Sequence, residues 1–235
     1  MHTKTILSMI TIFLSLSTLA QAGYVPPTSQ KPPSDYSRST GIRSGCQNQK
    51  PGEMLVIVAP QTYVGETTSV LPQFTWWTAV PSAIDFRLFE FTADGEVKKI
   101  GKPMQIQSVA GINRLSLPAG QPPLTVGQKY LWQVALRCPS GEYILERAEF
   151  KVVPAPSGLN QDELKSLDAI ERYAQRGFWY DAFSESLLVS TSGKSGKLCS
   201  ALISSLAASE APGNEGSSTN NRQKSLEEIS RDWCF

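Results

Sequence analysis

Residues 72–153 constrain the fold most, because this stretch is a run of short apolar segments separated by Pro and Gly turns. In segment 129–138, alternate residues from Tyr130 to Cys138 would point to one face and their neighbours to the other, which is the period of a strand. Segments 73–78, 83–92 and 96–100 are strand candidates, and Asp94-Gly95 between the last two is a strong signal for a two-residue hairpin. Segment 105–109 is a separate short candidate beyond Pro103. The pattern predicts a series of antiparallel strands.

Strands of this length and spacing are typical of a β-sandwich, and we expect one of the fibronectin III or immunoglobulin type over residues 46–154. The segment 54–60 is continuously apolar, which favours a strand buried on both faces. Trp132 and one of the adjacent pair Trp76 and Trp77 should fill the core, because neighbouring residues on a strand face opposite sides.

After Pro154 the apolar period changes from two to 3.6, which predicts a small helical domain over residues 155–235. Arg176 and Gly177 provide a helix C-terminus, and a second helix begins at Phe178 directly afterwards. Residues 209–224 are polar and of low complexity, and we expect them to form a loop before a short last helix. The predicted class is therefore α+β, with the sandwich first and the helices second.

The first 22 residues have the pattern of a signal peptide, with Lys4, an apolar stretch and the small-residue site Ala20-Gln-Ala22. An uncleaved anchor is the alternative, although the apolar stretch is short for a membrane span. Residues 23–45 are rich in Pro, Ser and Thr, and we expect a flexible arm. After cleavage the chain would be periplasmic or secreted, with no membrane span.

Cleavage would remove His2, the one histidine of the chain, and Lys4, which leaves 21 basic and 21 acidic residues. Without histidine, Ser-His-Asp and Cys-His nucleophile pairs and His-ligated zinc are excluded. A nucleic-acid partner is not expected, since the charges balance and no basic stripe is visible. We predict no catalytic set, no metal and no cofactor.

Four cysteines in an oxidising compartment indicate disulfides, and four allow three pairings. Cys46 with Cys138 and Cys199 with Cys234 are favoured, because each pair then stays within one predicted domain. The second pair is the less firmly supported of the two.

Aromatic residues outside the predicted core suggest a binding surface. If the outward-facing aromatic side chains were bare, they would form a platform for a sugar or a partner protein. The alternative is that the helical domain covers this sheet face, with aromatic residues of its own as the covering side chains. The candidate aromatic surface consists of Trp77, Phe89, Trp179 and Tyr180.

Several of these segments together resemble the cyanobacterial "domain of unknown function 928" family over nearly all of the chain beyond the arm. The resemblance implies exported proteins with a β domain followed by helices, and it assigns no activity. The tail from Ser209 to Phe235 departs from the family pattern, being longer. The segments that carry the resemblance are Cys46 with residues 55–60, Pro72-Gln-Phe-Thr-Trp-Trp, Leu117-Pro118, Tyr130-Leu-Trp132 with Cys138, and Ala174-Gln-Arg-Gly-Phe-Trp-Tyr-Asp-Ala182.

These observations favour an exported, non-catalytic binding module of the cell envelope or periplasm. Its partner would be an envelope protein or a polysaccharide, bound by the sheet-face aromatics, the helical hairpin or both. The alternative is a polysaccharide-active enzyme that uses a pair of carboxylates, with Asp85, Glu90 and Asp181 as the acidic residues that helix capping does not explain.

Overall fold

A computed structural model of the chain describes residues 23–28, 31–38, 46, 52–117, 122–156, 167–189, 195–210 and 217–234. The predicted signal peptide, residues 1–22, lies outside these ranges. Among the described residues, no helix combines the length and the apolar character that crossing a membrane requires.

The described chain contains eight strands followed by four helices, with one short helix in front of them. The strands are β1 (Leu55–Ile57), β2 (Gly65–Thr67), β3 (Gln73–Thr78), β4 (Ser82–Phe91), β5 (Val97–Ser108), β6 (Gly111–Ser116), β7 (Lys129–Arg137) and β8 (Tyr143–Val152). The helices are α1 (Asp35–Arg38), α2 (Leu167–Gln175), α3 (Trp179–Leu188), α4 (Ser195–Ser209) and α5 (Ser217–Asp232).

The strands form two sheets, one of five strands in the order β2-β8-β7-β4-β5 and one of three in the order β1-β3-β6. All neighbours are antiparallel except β2 and β8, which run parallel. The predicted α+β class, with β-strands first and helices second, is confirmed. The fibronectin III or immunoglobulin type of the sandwich stays a prediction.

Aromatic side chains from both sheets meet between them and form the centre of the core. The Phe74 ring of β3 lies 5.1 Å from Phe86, 5.0 Å from Trp132 and 5.5 Å from Phe150, all on the five-stranded sheet. Trp76 is fully buried beside them and donates from Nε1 to Ser108 Oγ at 2.9 Å. The indole N–H is thus satisfied inside the sandwich, as a buried donor requires.

The helices pack against the sandwich and share its hydrophobic core instead of forming a second one. α2 and α3 are joined by a tight turn in which Gly177 has φ +81°. A Cβ at this glycine would lie 2.9 Å from the backbone nitrogen of Pro27, so both the conformation and the close approach require glycine. The predicted boundary near Pro154 therefore separates β from α structure within one packed unit.

Parts of the predicted flexible arm contact the folded part of the chain. Tyr24 is buried, and its ring meets Trp179 edge to face at 5.0 Å. Farther along, the Ser34 backbone N–H donates to Glu149 Oε1 at 2.9 Å, on the outer face of the five-stranded sheet. These contacts hold Tyr24 and Ser34 against the fold, and the flexibility of the arm as a whole stays a prediction.

Two further predictions require correction. α5 begins at Ser217, inside the predicted loop 209–224, because Arg222 on this helix reaches a buried carboxylate of the fold. β5 is one strand of 12 residues instead of two short ones.

Candidate functional site

Two of the four predicted surface aromatics lie in the core. Trp179 is fully buried and donates from Nε1 to the Val58 carbonyl at 2.9 Å. Tyr180 is also buried, and its hydroxyl accepts a hydrogen bond from Trp132 Nε1 at 3.0 Å. Burial strongly raises the pKa of Tyr180 above its ordinary value. Both are the covering residues of the alternative interpretation, and neither offers a surface to a ligand.

The other two aromatics are half-buried and lie on different sheets. Trp77 of β3 faces away from the sandwich core and meets Trp233 edge to face at 6.1 Å. Its Nε1 atom is buried and has no acceptor among the described residues. Phe89 lies on β4, on the outer face of the five-stranded sheet beside Leu131. The structure therefore does not bring the four predicted residues together into one surface.

Trp233, which contacts Trp77, also lines a groove that the sequence did not predict. It has a volume of about 200 Å³. Ile112 and Arg114 of β6 line it together with Leu187 of α3. The remaining lining consists of Gly196, Cys199, Trp233 and Cys234. We call this feature the Trp233 groove.

A disulfide fixes the end of the chain at this groove. The structure contains two bridges, Cys46–Cys138 and Cys199–Cys234, with Cα–Cα distances of 5.3 and 5.5 Å. The second bridge joins α4 to the residue after Trp233. A Cβ at Gly111 would lie 2.6 Å from the Trp233 ring, so the indole rests directly on the start of β6.

The Trp233 groove combines an apolar surface with one cationic group. Trp233 is 41% exposed although it is large and aromatic. Arg114 is exposed, and no described carboxylate lies within ion-pair distance of it. The nearest acid in sequence to Trp233, Asp232, is instead paired with Arg231 at 3.0 Å. Such a groove suits a ligand with an apolar part and a negative charge.

The second polar feature is a buried cluster around Glu210, the residue that follows α4. Arg222 Nε of α5 lies 2.5 Å from Glu210 Oε2, and the arginine also donates to the carbonyls of Ile57 and Ala59 at 3.1 and 2.6 Å. Glu210 Oε1 accepts from the backbone N–H of Gln61. These contacts join α4, α5 and the strand β1.

Glu146 of β8 lies beside this cluster, on the face of the sheet that points into the sandwich. Gln61 Nε2 donates to Glu146 Oε2 at 2.8 Å and to the Arg147 carbonyl at 2.7 Å. Burial raises the pKa of the Glu146 carboxyl, while the charge of Arg222 and the hydrogen bond from Gln61 oppose this effect. Gln61 thus connects two buried carboxylates, of Glu146 and Glu210.

The carboxylates that the sequence singled out are dispersed. Asp181 of α3 is buried and accepts from the Thr68 backbone N–H at 3.0 Å and the Thr68 hydroxyl at 2.8 Å, so it holds the chain after β2. Burial raises the pKa of Asp181. Glu90 lies 3.9 Å from Lys98 on the neighbouring strand. Among the residues that the structure describes, no cluster of three or more His, Cys, Asp or Glu offers a metal site.

A family model matches residues 37–209, which is most of the chain. The chain belongs to the family described as Domain of Unknown Function (DUF928). No curated protein matches it. Among solved structures, the chain is similar to the crystal structure of CopC from Methylosinus trichosporium OB3b, with 14% sequence identity, 40% of this chain and 87% of that chain covered, and a TM-score of 0.28.

The matched family region ends at Ser209, so α5 and Trp233 of this DUF928 chain lie beyond it. Sequence reasoning missed the Trp233 groove because its walls come from four separate segments. One signal was present: the alternation that puts Leu115 on the inner side of β6 puts Ile112 and Arg114 on the outer side. The tail, with Trp233 beside a bridged cysteine, was the other.

Proposed function

We propose that this protein is an exported, non-catalytic binding module of the cell envelope or periplasm, and that it binds its partner in the Trp233 groove. The observation that carries the proposal is the groove itself, which is lined by an exposed tryptophan next to a disulfide-bonded cysteine and by an arginine with no described counter-ion. Exposed aromatic surface beside a convergent polar group is the usual sign of a binding site.

Export is supported by the leader pattern and by the two disulfides, which fit an oxidising compartment. The non-catalytic character is supported by the roles of the buried carboxylates. Asp181 accepts two hydrogen bonds from Thr68, and Glu210 pairs with Arg222, so both hold parts of the chain in place.

The test is a screen of the oxidised protein against a glycan array and a peptide array, repeated with two groove variants. Arg114→Glu and Trp233→Ala should each abolish binding of the ligands found. Tyr143→Ala is the matched control, because Tyr143 is 40% exposed, like Trp233, and lies at the start of β8, outside the groove lining. Ligands that bind all three variants equally would exclude the groove as the site.

A hydrolysis screen on the same polysaccharides tests the enzyme alternative. Glu146 is the residue to replace, because its buried carboxyl has a raised pKa and shares Gln61 with Glu210. Product release that disappears in Glu146→Gln would overturn the non-catalytic proposal.

A further inference from the structure

The two sheets of the described chain have four outer strands, and three of them are protected against pairing with another chain. β1 is three residues long, and its Ile57 carbonyl accepts a hydrogen bond from Arg222. β2 is three residues long and packs against α3, with Gly65 beside the Tyr180 ring. β5 carries Lys98, Lys99, Lys102 and Pro103. Short edges, covered edges, lysine and proline are the devices by which proteins prevent strand addition.

The fourth outer strand, β6, differs from these three, although Arg114 gives it one charged side chain. It contains six residues, with no lysine and no proline, and among the described residues only β3 pairs with it. No described residue outside β3 is hydrogen-bonded to the backbone of residues 112–116. Alternate residues of an outer strand point their N–H and C=O groups away from the sheet, so β6 offers backbone donors and acceptors to which no described residue is bonded.

The strand β6 that has this edge also lines the Trp233 groove. Ile112 and Arg114 belong to β6, and both line the groove from the outer face of the three-stranded sheet. A strand added beside β6 would therefore place its own outward side chains next to the groove. A backbone edge together with a side-chain pocket is the arrangement by which proteins bind extended peptides.

We propose that β6 receives an extended peptide segment of a partner protein as an added antiparallel strand, with an acidic side chain opposite Arg114 and an apolar side chain opposite Ile112. The inference rests on the proposed binding function and names its ligand. Directly opposed residues share a face, and an antiparallel partner runs against β6. The recognised order is therefore acidic residue, any residue, apolar residue.

Charge and shape select this ligand over the others. Arg114 has no described counter-ion, and guanidinium groups bind carboxylates with directed, charge-assisted hydrogen bonds. Trp233 and Ile112 provide apolar contact for the second side chain. A polysaccharide would use the indole and the arginine but has no peptide amides for the edge of β6, which favours a peptide.

Synthetic peptides with fluorescein at one end test the proposal, by fluorescence anisotropy with the oxidised full-length protein. The probe contains Glu-Val-Trp within a Ser/Thr frame, and its matched control contains Lys-Val-Trp. We expect the Glu peptide to bind at least tenfold more tightly. In Arg114→Glu the preference should reverse, whereas Arg87→Glu should leave it unchanged, since Arg87 is an exposed arginine on the five-stranded sheet.

Backbone pairing is tested separately with two N-methylated forms of the Glu peptide. In one form every second amide is methylated, and in the other form the intervening amides are methylated. Only one set of amides faces β6, so one form should lose binding by about tenfold or more while the other keeps it, given that each hydrogen bond contributes roughly three- to tenfold. Equal binding of both forms would overturn strand addition.

Polygalacturonate, an anionic polysaccharide without peptide amides, distinguishes failure of the peptide inference from failure of the proposed binding function. If it bound in a Trp233-dependent manner while the peptides did not, the peptide inference would be overturned and the binding function would stand. If neither the peptides nor any arrayed ligand bound in a groove-dependent manner, both would be overturned.

Discussion

Replacement of Arg222 by methionine is the most informative perturbation of the fold. This side chain connects α5 to Glu210 at the end of α4 and to the chain at β1. The side chain is 13% exposed and the Glu210 carboxylate 1%. Its guanidinium neutralises Glu210 and donates to the carbonyls of Ile57 and Ala59. Methionine would fill part of the space but provide neither a charge nor a donor.

The expected loss of unfolding free energy follows from the Glu210 carboxylate that Arg222→Met leaves unpaired. Removing one member of a buried ion pair costs about 3–5 kcal/mol, because the other charge stays buried without compensation. The Ile57 and Ala59 carbonyls lose a donor in the same substitution, which places the expected loss in the upper part of that range. Domains of ordinary stability unfold with about 5–15 kcal/mol, so Arg222→Met should remove a large share of the total.

Urea denaturation followed by circular dichroism measures this loss, under oxidising conditions that keep the Cys199–Cys234 bridge. Lys224→Met is the control: Lys224 is on the same helix, exposed, and 3.9 Å from Glu228, so it should change stability by about 0.5 kcal/mol or less. The double variant Glu210→Gln/Arg222→Met should be more stable than Arg222→Met alone, because no unpaired charge remains. If Arg222→Met and Lys224→Met were equal within about 1 kcal/mol, the role assigned to the pair would be wrong.

Two further predictions concern pH and the first bridge. Because burial raises the pKa of Glu146, the folded state resists its ionisation more than the unfolded state does, so stability should fall as pH rises from the ordinary carboxyl value of 4.5 through the raised pKa. Glu146→Gln keeps an acceptor for Gln61 and should flatten the plot of unfolding free energy against pH, measured by denaturation from pH 4 to 8. If the slope of that plot were unchanged in the variant, Glu146 would not be its cause. Replacing both Cys46 and Cys138 by alanine opens a loop of sequence separation 92, and should lower the unfolding free energy by about 4–5 kcal/mol in the chain-entropy model, measured by urea denaturation. A loss below about 1 kcal/mol would mean that the unfolded chain is already compact.

Local patterns in the sequence predicted much of the sheet. Segment 73–78 was predicted as a strand and is β3, with Trp76 inside and Trp77 outside, because side-chain alternation is a property of the strand itself. β2 was missed, since three residues are too few to show a period. The strand β5 was divided in two because Pro103 normally interrupts a strand, yet proline is tolerated at an outer strand.

The helices show the opposite case, in which position in the fold decides. The segment that contains Trp179 and Tyr180 was predicted correctly as the start of a helix, but its sequence does not reveal which face is covered. Only the packed structure shows that these two rings fill the space between α3 and the sandwich. Tryptophan and tyrosine occur both in protein cores and on binding surfaces. Composition alone therefore could not decide whether Trp179 and Tyr180 are buried or exposed.

The Trp233 groove depends on the same long-range contacts, and this explains why no local motif indicates it. α5 is polar, and helices of this kind are stabilised mainly by tertiary packing. Arg222 attaches its first half to Glu210 and β1, and Cys234 attaches its end to α4. With both ends held, the Trp233 indole has a fixed position on Gly111, at the start of β6. A ligand would therefore meet a wall that is already in place, which lowers the entropic cost of binding.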